Sequence, residues 1–249
     1  EKEKNIQVVN GDIRDTQKFI NFAKDCEICI HLACISNDPS YELNPNLAKS
    51  INFDAFTMFV DEVNKSSVKT LIYASSSSVY GVKEEENVTE ELICEPLTDY
   101  SKYKVMCEDI ALTSIAKDIC LTIVRPSTVC GYSRRQRFDL VVNVLTLSAL
   151  TSSVINVDGG DQFRPNLHIK DMIASYKLLL ETNPKIIDRK IYNIAGENLT
   201  VLRIAEKVQS QMKESCEIKV VPVIDQRSYR VSGKKIESEI GFIPKYSVD

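Results

Sequence analysis

The feature that most narrows the fold is a rhythm. Short, almost wholly apolar runs, "EICIHLAC", "VKTLIYASS", "CLTIVRPSTV" and "KIYNIAG", recur along the chain with helical segments between them. A run that stays apolar without alternation is a strand buried on both faces. Parallel neighbours need a crossover that returns the chain to the same end of the sheet, and a helix is its usual form. Residues 1–130 therefore predict a doubly wound parallel α/β sheet. Its order begins with a strand and turn in "IQVVNGDIRD", a helix in "TQKFINFAKD" and the strand "EICIHLAC". A polar loop through Pro39 and Pro45, a helix from Leu47 to Asn64 and the strand "VKTLIYASS" follow. An acidic loop (Glu84–Glu91), a helix from Ser101 to Lys117 and the strand "CLTIVRPSTV" complete it.

Past Gly131 the alternation loosens, and residues 131–249 predict a smaller α+β lobe that carries substrate contacts. It holds a helix in "RFDLVVNVLTLSAL", strand and loop in "SVINVDGGDQFRPNLHI", and a helix near 169–182 expected to pack on the first unit. "TVLRIAEKVQSQMK" is amphipathic, with Val201, Ile204, Ala205 and Val208 on one face. "EIKVVPVI" reads as a late strand.

Composition bounds the partners. A net charge of −4 with scattered basic residues excludes a nucleic-acid surface. No apolar run approaches the ~20 residues of a membrane span, and the charged "EKEKNIQVV" is no signal peptide. Most of the eight cysteines, Cys26, Cys29, Cys34, Cys107, Cys120 and Cys130 among them, sit on apolar segments, as small buried hydrophobes do. "CEIC" has no histidine at ligand spacing, so core packing is read there and no metal. Reduced thiols place the chain in the cytoplasm.

Ligands of open α/β sheets bind beyond the carboxyl ends of the strands. Asp12 falls at the first such end, Ser36 with Asn37 at the second, and the run Ser75 to Ser78 at the third. In "DYSKYK", Tyr100 and Lys104 are one helical turn apart and share a face. An ammonium beside a phenol favours phenolate, which makes an acid/base device that works near neutral pH. A serine hydroxyl nearby can hold the substrate oxygen while the proton moves.

Taken with "RPSTVCG", these motifs resemble the extended short-chain dehydrogenases/reductases, in their nucleotide-sugar epimerase/dehydratase branch, which implies a Rossmann-like sheet and NAD as cofactor. "GDIRD" resembles the family's adenine-side turn, with Asp12 and Ile13 at the base. "HLAC" resembles the strand end along the cofactor, implying Leu32, Ala33, Cys34 and the nearby Ser36 as contacts. Asn52 in "INFDAF" resembles the helix asparagine that supports the active-site helix. "SSSSVYG" resembles the catalytic serine strand, with Ser76 active and Ser75 on the cofactor side. "YSKYK" supplies Tyr100 and Lys104 as catalytic groups that also hold the cofactor, and "RPSTV" its nicotinamide-side turn, Pro126 and Ser127. "GGDQFRPNLHIKDM" and "DQRSYRVSGKKIESEIGFIP" resemble the segments whose arginines, here Arg164 and Arg227, bind the sugar nucleotide's diphosphate. The family's packing of the Asn52 and Tyr100 helices implies a homodimer.

The chain departs from the family at both ends. Its eight glycines compose no glycine-rich phosphate turn, so it reads as a fragment that opens at the family's third strand, the alternative being a natural short form that has lost cofactor binding. The residue that separates NAD from NADP follows the second strand, so that choice stays open. The family's dehydratases place Asp-Glu directly after the active hydroxyl, where this chain has Ser77 and Ser78. Uncharged residues there favour 4-epimerisation of a nucleotide-diphosphate sugar through transient oxidation to a keto-sugar. The alternatives are a nucleotide-sugar reductase, dehydrogenase or dehydratase, and a non-catalytic cofactor-binding protein. His31 and His168 read as structural or ligand-edge residues, and "KEEENVTEE" as a solvated loop. The cluster Arg134, Arg135 and Arg137 reads equally as a solvated loop or as a group near the sugar.

Overall fold

A computed structural model describes residues 6–23, 25–36, 38–222 and 228–249. The first half contains α1 (Thr16–Ala23), β1 (Ile28–His31), α2 (Asp38–Leu43), α3 (Pro45–Lys49), α4 (Ala55–Asn64), β2 (Thr70–Ala74), α5 (Asp99–Ser114) and β3 (Cys120–Pro126). The second half contains β4 (Thr128–Cys130), α6 (Val141–Ser152), β5 (Val154–Asp158), β6 (Phe163–His168), α7 (Ile169–Glu181) and α8 (Pro184–Ile187). It ends with β7 (Lys190–Ile194), β8 (Asn198–Thr200), α9 (Val201–Gln211), β9 (Glu217–Val221) and α10 (Lys234–Ile240).

The main sheet is parallel, in the order β1-β2-β3-β7. Its side chains alternate between two cores, as the pleat requires. Leu71, Tyr73, Leu121 and Ile123 meet Phe56, Phe59, Val60 and Cys107 from α4 and α5. Ile72, Val124, Tyr192 and Ile194 meet Met172 and Leu179 of α7, with Ile236 of α10. Each fully buried side chain of this size stabilises the fold by about 1.5–3 kcal/mol. Helices on both faces confirm the doubly wound reading, and α7 packs on the sheet formed largely by the first half.

Two smaller sheets complete the molecule: β4-β6-β8, and the parallel pair β5-β9. They cover a separate core in which α6 packs on α9 through Leu145, Ala149, Ile204 and Val208. Val201, Ile204, Ala205 and Val208, the predicted apolar face of α9, are all buried.

Several elements differ from the expectation; the polar loop expected through Pro39 and Pro45 holds the short helix α2 (Asp38–Leu43). The strand predicted in "IQVVNGDIRD" is absent: residues 6–10 have no regular structure, and Ile6 and Val8 are exposed. A strand exists through its neighbour's hydrogen bonds, and no described residue pairs with this segment. The single strand expected over "CLTIVRPSTV" divides at Ser127, whose N–H donates to Ile194 O (2.9 Å) before β4 leaves to pair with β6. The helix expected from Leu47 to Asn64 begins at Pro45 behind the Asn44 cap and contains a π-helical turn, Ser50–Asp54.

Candidate active site

The carboxyl ends of β2 and β3, the loop after β1 and the segments after β4 enclose a cleft of about 500 Å³. Of the residues predicted from sequence, it brings together Ser36, Ser75, Ser76, Tyr100, Pro126, Ser127 and Arg164.

Ser76 stands where the strand becomes a turn. Ser75 N–H still donates to Val124 O (2.8 Å), one residue past β2. Ser76 keeps extended angles (φ −159°, ψ 146°) and opens a 3₁₀ turn over Ser77–Tyr80. Its Oγ caps that turn by accepting from Ser78 N–H at 3.2 Å, and accepts again from the Ser78 hydroxyl at 2.9 Å. Gly81 ends the turn at φ +71°, and a Cβ there would lie 2.0 Å from Glu95 O. Only glycine fits this position.

Helix α5 carries the other groups. Thr98 caps it, with Ser101 Oγ accepting from Thr98 N–H (3.2 Å) in a reciprocal capping box. Tyr100, Lys104 and Glu108 follow at one-turn spacing and share the face turned toward the strands. Lys104 is buried (6% exposed) and stands behind Tyr100, off the cleft wall, with its Nζ 5.9 Å from the Tyr100 ring centroid. That ammonium also donates to Ala74 O at 2.6 Å, so it fastens the end of β2 to α5.

Below the cleft lies a network that the sequence reading passed over. Ser75 Oγ donates to the Glu108 carboxylate, which is gripped by Arg125 (Nη2 to Oε2 2.6 Å, Nε to Oε1 3.1 Å). Arg125 Nη1 also donates to Tyr80 Oη (2.9 Å), and that phenol donates to Asn193 Oδ1 (2.7 Å). All of these side chains are buried. The signal for Glu108 was present in sequence, since the spacing that ties Tyr100 to Lys104 extends one more turn. Arg125 sat inside the "RPSTV" motif unremarked. Thr128 and Asn143, also on the cleft wall, gave no signal.

Asn52, Leu32, Ala33, Cys34, Asp12 and Ile13 stand apart from the cleft wall. Asn52 is buried, and its amide bonds both backbone groups of Ile35 (2.8 and 2.9 Å), pinning the loop after β1 to the π-helical turn. The Asn52 carbonyl accepts from Cys107 Sγ of α5 (3.3 Å), which ties that turn to the active-site helix. Leu32 and Ala33 are exposed, and Cys34 is half-buried. Asp12 pairs with Arg14, whose side-chain hydrogen bonds hold the carboxyl at a pKa of about 2, and Ile13 is half-buried beside it. Asn37 and Arg227 lie outside the described residues.

His31 is buried against Phe56, Phe59 and Tyr73. Burial, aided by the Lys104 charge, pushes its pKa down to about 3, so the ring is neutral. His168 caps α7 through Nδ1 (3.2 Å from Lys170 N) and stacks on Tyr246. Arg135 and Arg137 line the cleft. Arg137 bonds Asp139 (2.6 Å) and reaches Ser36 Oγ (3.1 Å), linking the loop after β1 to the segment after β4. Nothing in the described residues places Arg134 on that wall.

The profile of the NAD dependent epimerase/dehydratase family matches residues 1–195. A UDP-glucose 4-epimerase of Lactobacillus helveticus is 25% identical over 220 residues, which cover 80% of this chain and 67% of that protein. Among solved structures, a UDP-glucuronic acid 4-epimerase from Bacillus cereus, in complex with UDP-glucuronic acid and NAD, superposes with a TM-score of 0.86 at 24% identity, covering 99% of this chain and 79% of its own. DesIV, a dTDP-glucose 4,6-dehydratase from Streptomyces venezuelae with NAD and TYD bound, gives a TM-score of 0.86 at 20% identity, covering 98% of this chain and 76% of its own. At these identities the two structures establish a shared fold.

Proposed function

Because the chain belongs to the NAD-dependent epimerase/dehydratase family, we propose that it inverts the C4 hydroxyl of a nucleotide-diphosphate sugar by transient oxidation to the keto-sugar. The observation that supports epimerisation over dehydration is the serine run at the end of β2. Hydroxyls occupy positions 77 and 78, where elimination of water needs carboxylic acids, and Ser77 is buried besides.

The residues present suit NAD at the nicotinamide end. Ser127 lies on the cleft wall, is 4% exposed, and its hydroxyl has no hydrogen-bond partner among the described residues. A buried polar atom left unpaired is unfavourable, and a carboxamide supplies the missing partner. Tyr100, Pro126 and Ser36 line the same cleft, with Lys104 behind the Tyr100 ring. When bound, NAD supplies the hydride acceptor and donor.

The chain's own groups handle the proton and the sugar. Tyr100 takes the proton of the sugar hydroxyl and returns it after the sugar has turned over. Lys104 holds positive charge behind the ring, which favours phenolate while that proton is in transit. Ser76 donates a hydrogen bond to the same oxygen and steadies the charge that builds on it. Arg164 and Arg135 supply cationic wall for the diphosphate. A second copy would pack on α4 and α5, which expose Met58, Met106 and Leu112.

The test uses the full-length protein with NAD and two substrates, UDP-glucose and UDP-glucuronic acid, and separates 4-epimers by chromatography. Epimer forms while the total amount of oxidised cofactor stays constant. Tyr100→Phe lowers the rate by at least about 100-fold while the protein still binds NAD. Full activity in that variant, or a product that has lost water, refutes the reading.

A further inference from the structure

The bonding of Ser76 carries a consequence for the direction of proton flow. A serine hydroxyl has one proton to donate and two lone pairs to accept with. Both acceptor positions of Ser76 Oγ are filled by one residue, through Ser78 N–H at 3.2 Å and the Ser78 hydroxyl at 2.9 Å. The Ser76 proton is left for the cleft, whose wall Ser76 and Ser78 share with Tyr100.

We propose that Ser78 is a positioning residue that commits Ser76 to the role of donor, so that the substrate's proton has one destination, Tyr100. This rests on the epimerase reading and deepens it. A sugar hydroxyl facing a free serine has two choices: it accepts from the serine, or it donates to it. The second arrangement is unproductive, because the O–H proton must move to the phenolate as the C–H bond breaks. With its lone pairs filled, Ser76 cannot receive that proton. The same O–H still serves the keto form, which can only accept, so one fixed hydrogen bond suits the sugar oxygen before and after oxidation. The mounting is rigid as well: Lys104 holds Ala74 O and Glu108 holds Ser75 Oγ, the two residues before Ser76. Serine at position 78 thus has a positive use beyond the absence of an acid.

The experiment is a double-mutant cycle on the full-length protein with NAD and UDP-glucose. Ser78→Ala lowers kcat and kcat/KM together by about threefold to tenfold, the worth of one hydrogen bond expressed in the transition state. KM stays within about twofold, and Ser78→Thr, which restores a hydroxyl, recovers the rate. In a Ser76→Ala background, Ser78→Ala costs less than about twofold, because its route to the substrate is gone. An equal loss in both backgrounds, a raised KM at constant kcat, or a Thr variant as slow as Ala overturns the proposal while leaving the epimerase reading in place. A wild-type protein that epimerises neither UDP-glucose nor UDP-glucuronic acid sinks that reading and this proposal together.

Discussion

Replacing Arg125 with methionine removes the cation beneath the cleft and leaves its partner behind. The Arg125 and Glu108 side chains are 5% and 3% exposed and meet at 2.6 Å. Arg125 makes three contacts to the Glu108 carboxylate and one to Tyr80 Oη, whereas Ser75 is the only other described side chain that bonds the acid. A carboxylate stranded in such a place costs about 3–5 kcal/mol, against a total stability of about 5–15 kcal/mol for a domain. With a urea m-value on the order of 2–3 kcal/mol/M, the unfolding midpoint falls by more than about 1 M, read by circular dichroism. The pair itself is not the source of stability, because desolvation offsets most of its Coulomb attraction. Arg125→Met combined with Glu108→Leu therefore recovers at least half of the loss. A single variant within about 1 kcal/mol of the parent, or a double variant as unstable as the two singles summed, refutes this account.

Two further outcomes follow from the structure. The neutral, buried His31 drains stability as pH falls, because the unfolded imidazole binds a proton near pH 6.5 while the folded one resists until about 3. The cost reaches on the order of 2 kcal/mol at pH 5, so His31→Phe flattens the difference in urea midpoint between pH 7.5 and pH 5; an unchanged difference counts against a buried neutral ring. Gly81→Ala forces a Cβ to within 2.0 Å of Glu95 O at φ +71°. It lowers the melting temperature and, by shifting the turn that carries Ser76 and Ser78, reduces turnover more than UDP binding, measured by calorimetry; a wild-type melting temperature contradicts the close approach.

Local pattern was enough to determine the kind of fold and the chemical alphabet of the site. Apolar runs such as "LTIVR" can be satisfied only with both faces covered, and Tyr100 with Lys104 share a helical face whatever surrounds them. The face of α9 was equally legible, since periodicity is a property of the segment alone. Tertiary structure decided everything that depends on a distant partner. "IQVV" has strand composition but no described neighbour, so it is not a strand. "RPSTV" divides because Ser127 bonds β7 while Thr128 to Cys130 bond β6, a choice made by residues far away in sequence. Asn52 reads in sequence as a support for the active-site helix, and only the fold shows its partners: its amide holds Ile35 while its carbonyl accepts from Cys107 of α5. The serine run shows the division most plainly. Four identical side chains are indistinguishable in sequence, and only the turn separates them: Ser75 is tied to Glu108, Ser76 lies open to the cleft, Ser77 is buried, and Ser78 fills the lone pairs of Ser76. A hydroxyl's role is set by which of its hydrogen bonds are already made, and those partners are assembled only when the chain folds.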